Sequence, residues 1–219
     1  EELKPFIDWT PFFQSWQLAG KYPAILEDKV VGAEAAELHQ HALEMLEQIN
    51  KEAWLQIKAV FGLFAANGDG NDVVIWEDEQ REKELSRLHF LRQQRKKAEG
   101  LPYYCLSDYI APIETGQADH IGMFAVTAGH GIESHIQAFE AKHDDYNAIL
   151  LKSLAERLAE AAAKYLQYKI RKEYWAYVPD EGLDNEAMIK EEYQGIRPAP
   201  GYPACPDHTQ KDTIWTLLD

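Results

Sequence analysis

At 219 residues, with 46% hydrophobic and 27% charged side chains, the chain has the composition of an ordinary globular protein and enough length for one large core or two small ones. No apolar run approaches the length needed to span a bilayer. A formal charge of −15 argues against binding along a phosphate backbone, because no extended basic surface is available to release counterions.

In chain order, residues 5–16 (PFIDWTPFFQSW) are strongly aromatic and are expected to pack on the core. Among them, Asp8 is either a helix N-cap or a ligand group whose charge burial would strengthen. Over 32–53, Leu38, Ala42, Met45 and Ile49 step by fours and threes, which predicts an amphipathic helix. Residues 58–65 and 72–76 read as strands, with 67–71 (NGDGN) supplying the positive-φ residues of a hairpin turn. Residues 79–98 are charged with a thin apolar stripe and predict a surface helix stopped at Gly100. Arg92, Arg95, Lys96 and Lys97 would then form a solvated helix end, one that could also dock an acidic protein.

Two further strands are predicted over 103–111 and 120–127, followed by a turn at 128–131 (AGHG) into a helix carrying Ile132, Ile136 and Phe139. The longest helix is expected over 145–174, where Leu151, Leu154, Leu158, Ala161, Tyr165 and Tyr168 alternate threes and fours along one face. On that helix Glu160 reads as surface charge. A short helix over 185–193 then leads into a proline-rich run. Helices and strands mix without strict βαβ alternation and no linker interrupts them. The expected fold class is therefore α+β: a single domain with a largely antiparallel sheet and flanking helices.

The familiar catalytic patterns are missing. There is no Gly-x-Ser-x-Gly, no Gly-x-Gly-x-x-Gly and no P-loop, and Cys105 sits in an apolar run where a thiol is inert. His130 and His135 are five apart and His39 and His41 two apart, so neither pair has the spacing of helical metal ligands. Cys205 with His208 lacks a second pair to complete a zinc site, and His143-Asp144-Asp145 could cap the helix that follows. Two widely separated cysteines suit a reduced, cytoplasmic protein.

The run 197–209 (RPAPGYPACPDHT) is the most distinctive stretch. Its prolines forbid a helix and cannot donate to a sheet ladder, so its polar backbone groups are expected to be available to something else. Arg197 offers a planar fork for a carboxylate or phosphate, Gly201 permits close approach, and Tyr202 offers a flat face with a polar tip. On composition alone such a run is a rigid surface connector.

The string RPAPGYPACPDHTQK resembles the signature of the activation domain of cobalamin-dependent methionine synthase. FIDWTPFFQSWQLAGKYPAIL, VVGAEA, LRQQ, AFEAKHDDYN and AERLAEA resemble the same family, in order, over nearly the whole chain. The resemblance implies a module that holds S-adenosylmethionine while cob(II)alamin, carried by another domain of the same polypeptide, is reductively methylated with an electron from a flavodoxin-type reductant. It also implies that Asp8, Glu160, Arg197, Ala199 and Tyr202 contact S-adenosylmethionine. No histidine lies in the Asp-x-His-x-x-Gly pattern of the lower cobalt ligand, so cobalamin is expected on a different segment. The missing initial Met suits a fragment of a longer enzyme. Family members continue past the position of Asp219 to a further ligand-contacting tyrosine, so the fragment is expected to be inactive alone, with a pocket that is unfinished. The competing expectation is a docking module for the reductant and the cobalamin domain.

Overall fold

Aromatic side chains organise the first of two compact units into which the chain divides, residues 1–59 together with 126–194. The computed structural model describes residues 1–219. Phe12 and Phe13 of α1 (Trp9–Ser15) are fully buried, and Trp9 meets Phe12 edge-on at 5.3 Å. Leu38, Ala42, Met45 and Ile49 of α2 (Gly32–Glu52) form the buried stripe that their spacing predicted. After α3 (Ile132–Glu140), α4 (Asp145–Lys169) contributes Leu151, Leu154, Leu158 and Ala161 to the same core, with Tyr165 and Tyr168 packed at its margin. Burying each such leucine contributes roughly 1.5–3 kcal/mol, so this unit is held mainly by apolar packing. Asp144 caps α4 by accepting from the Asn147 N–H at 3.1 Å. A wider π-turn over Ile170–Tyr174 ends that helix, and α5 (Asn185–Ile189) follows.

Residues 60–125 and 195–219 make the second unit. The ends of its first segment fall inside β1 (Gln56–Asp69) and β4 (Asp119–His130), which with β2 (Asp72–Trp76) and β3 (Glu84–His89) form one sheet in the order β3-β2-β1-β4. β2 pairs antiparallel with both β1 and β3, in keeping with the expected α+β class and its largely antiparallel sheet. Ala66, Val73, Ile75 and Leu88 build this unit's core with Cys105 and Cys205, and Ile214 and Leu217 of α6 (Gln210–Leu218) pack against it. No helix is long and apolar enough to cross a membrane.

Four expectations are corrected. The predicted helix over 79–98 is β3 and an irregular loop: Leu88 is buried, Leu85 is exposed at a break in the register, and the edge of β2 supplies the hydrogen-bond partner that a lone helix would not need. Arg92, Arg95, Lys96 and Lys97 therefore lie on a loop. The strand expected over 103–111 is an extended stretch ending in a 3-10 turn (Leu106–Tyr109), fixed by Asp108 accepting from the Cys105 N–H at 2.9 Å. The hairpin turn is shorter than 67–71. Asp69 pairs with Asp72, leaving Gly70 and Asn71 as the loop, and only Gly70 of that run has positive φ, +63°.

Asn67 and Gly68 instead serve the strand. Asn67 is buried, donating to the carbonyls of Ala111 and Gln117 and accepting from the Trp76 indole. A Cβ on Gly68 would stand 3.1 Å from the carbonyls of both Ser107 and Ile110. Helix α6 was not anticipated. Its Gln210 is buried and accepts from the His89 N–H at 2.9 Å.

Candidate functional site

The proline-rich run is not an open strand; it folds back on itself. The Tyr202 N–H donates to the Ala199 carbonyl at 3.0 Å, the Cys205 N–H to Tyr202 at 3.0 Å, and the Gly201 N–H to Cys205 at 2.9 Å. The Cys205 thiol donates to the Ala199 carbonyl at 3.1 Å. Burial pushes that thiol's pKa up, so it keeps the proton that it donates. The Leu106 N–H donates to the Ala204 carbonyl and ties the loop to the rest of its unit. The expectation of free backbone groups is thus corrected: prolines exclude helix and ladder, and the few remaining N–H groups close a local turn instead.

Gly201 is explained by its own chain. Its φ of +106° disfavours any side chain, and a Cβ there would lie 2.7 Å from the His208 ring. Cys205 and His208, which sequence reading treated only as a possible metal pair, are therefore the scaffold of this loop. Their spacing from Gly201 gave no sign of that role.

Three of the five candidate residues share the loop. Arg197 is half-buried, with its Nε shielded from solvent. Ala199 is exposed; its carbonyl accepts two hydrogen bonds while its N–H makes none. Tyr202 is 61% exposed, which leaves its ring open to stacking from outside.

The other two belong to the first unit. Asp8 is the N-cap of α1: one carboxylate oxygen accepts from the Thr10 N–H at 3.0 Å and the other has no partner. Both readings of Asp8 are thus compatible with one side chain, since capping uses half of the carboxylate. Glu160 lies on α4, half-buried, 3.9 Å from the ammonium of Lys164 one turn on.

The histidines weighed as metal ligands have other neighbours. His39 stands edge-on to Trp9 at 4.6 Å, and burial lowers its pKa and keeps it neutral. His41 hydrogen-bonds the Tyr146 hydroxyl at 2.8 Å, and His135 stacks on Trp54 at 4.5 Å.

Two comparisons relate the chain to known proteins. The family model described as vitamin B12 dependent methionine synthase, activation domain, matches residues 1–219. A crystal structure of the MetH reactivation domain bound to AdoHcy is 56% identical in sequence, with a TM-score of 0.93 over 99% of this chain. The chain spans 66% of that protein's length. Full-length coverage by the family model, with high identity and a matching fold, leads to one conclusion: the chain belongs to the vitamin B12-dependent methionine synthase activation-domain family.

Proposed function

We propose that the chain is the reactivation module of a cobalamin-dependent methionine synthase, residues 1–219 forming one activation domain that binds S-adenosylmethionine for the reductive methylation of cob(II)alamin. The observation that carries this reading is the AdoHcy bound to a relative of 56% identity and near-identical fold, because AdoHcy is the demethylated form of the proposed methyl donor. When bound, the sulfonium supplies the methyl group, and a flavodoxin-type reductant supplies the electron. Cobalamin itself would be held by another domain of the same cytoplasmic polypeptide, so the isolated chain would bind the donor without turning over. Neither nucleic acid nor membrane has a part in this reading.

The chain's own residues supply recognition and electrostatics. Arg197 pairs its guanidinium with the donor's carboxylate. The Ala199 N–H, which has no partner within the protein, donates to an acceptor on the ligand. The exposed Tyr202 ring stacks on adenine or faces the sulfonium. Asp8, with one carboxylate oxygen uncommitted, and Glu160 contribute the negative charge that a ligand carrying ammonium and sulfonium requires.

Calorimetric titration of the protein with S-adenosylmethionine tests this. Saturable binding that is lost in Arg197→Ala, with an unchanged melting curve, is expected. Absence of saturable binding by the unaltered protein overturns the reading.

A further inference from the structure

Residues 195–209 hold Arg197, Ala199 and Tyr202, yet only one side chain of that stretch is buried: Cys205, 2% exposed. Its thiol belongs to the apolar cluster of the second unit, with Ala66, Val73, Ile75 and Cys105. The loop is thus rooted in the core of its unit through a single side chain.

The same residue closes the loop. Residues 199–202 and 202–205 form two successive turns, each bonded from its fourth N–H to its first carbonyl at 3.0 Å. Pro200 and Gly201, the latter with φ of +106°, take the central places of the first turn, in the order that a type II turn favours. Cys205 reaches three residues of this pair of turns. Its N–H donates to Tyr202, its carbonyl accepts from Gly201 at 2.9 Å, and its thiol donates to Ala199 at 3.1 Å. The two main-chain bonds do not depend on the side chain. The third does, and without it the Ala199 carbonyl is held from the Tyr202 side alone.

Cysteine meets two demands at once. The surroundings of the side chain are apolar, and the Ala199 carbonyl facing it needs a donor. A thiol is a small hydrophobic group that carries a weak donor. Alanine supplies only the first property, whereas serine supplies the donor but buries a hydroxyl in the core.

We infer that Cys205 is a positioning residue for the methyl donor, acting through Ala199 and Tyr202, whose placement its thiol fixes. This rests on the proposed function, which makes those two residues ligand contacts.

Calorimetric titration of Cys205→Ala and Cys205→Ser with S-adenosylmethionine tests this, at a temperature where circular dichroism shows both variants folded. Losing one hydrogen bond of ordinary strength should weaken binding by Cys205→Ala roughly fivefold. Cys205→Ser keeps the donor and should bind within about twofold of the unaltered protein. Thermal melting should rank the two the other way, the serine variant being the less stable because of its buried hydroxyl. Affinity and stability then move apart, which a merely structural role does not allow. Amide exchange supplies a readout without ligand: the Tyr202 N–H shares the Ala199 oxygen, so its exchange should quicken in Cys205→Ala and not in Cys205→Ser. An alanine variant that binds like the unaltered protein overturns the inference and leaves the proposed function standing. So does a loss of affinity that follows the loss of stability across both variants. Absence of saturable binding by the unaltered protein overturns both.

Discussion

Arg171 and Arg92 each grip a carboxylate through two nitrogens, the first inside its unit and the second at the surface of the other. Arg171 is 1% exposed and its partner Glu181 8%; the Gln167 side chain takes a third nitrogen at 2.8 Å, and the Tyr193 ring lies 4.3 Å from the guanidinium. Arg92 is 39% exposed and Asp108 32%. Ion pairs of the same chemistry therefore do different things. The interior pair must be surrounded by compensating groups, because water is not there to supply them. The surface pair is solvent-exposed and screened, so it shapes its loop while adding little to stability.

The largest expected effect breaks the interior pair. Arg171→Ala leaves the Glu181 carboxylate buried without its partner and should lower stability by about 3–5 kcal/mol in chemical denaturation. The double variant Arg171→Met/Glu181→Leu should lose clearly less than the single. An equal or larger loss would mean that the pair is a net source of stability, contrary to the contrast drawn here.

Next comes the surface pair. Arg92→Ala should cost only about 0.2–1 kcal/mol, since solvent screens it. It should nevertheless loosen residues 92–108, read as faster amide exchange at Gln93 and Tyr104 with little change elsewhere. A loss approaching that of Arg171→Ala would erase the distinction.

The smallest effect is one of pH. The Arg92 guanidinium beside Asp108 is the main cause holding that carboxyl below its usual range, helped by the Cys105 N–H. A depressed folded-state pKa means stabilisation that is complete above about pH 4, the ordinary carboxylate value, and fades as pH falls through the lowered value. Comparing melting temperatures of the unaltered protein and Asp108→Asn from pH 7 to pH 3 should therefore show a gap that narrows on acidification. A gap that widens would refute the assignment.

What could be read from sequence divides along a physical line. Helices α2 and α4 were legible because their apolar spacing persists over several turns. Strand β3 was not, because an edge strand with Glu84 and Arg87 on its outer side looks like a charged helix until a neighbouring strand is known. Helix α6 gave little warning: its apolar residues crowd its end, and its key contact comes from a glutamine. The buried positions of Arg171 and Asn67 were equally invisible, since such residues are ordinarily taken for surface. At the candidate site the residue types came from family resemblance. The capping use of Asp8 was legible from its place before an aromatic run. The closure of 199–205 was not, because it depends on a thiol and an imidazole whose roles appear only in three dimensions.

That closure has a chemical corollary. With both lone pairs of the Ala199 oxygen engaged, the main chain there can give a proton in a hydrogen bond but cannot take one. Whatever settles against it must bring an acceptor to that spot, and a molecule presenting an amino group instead would be turned away.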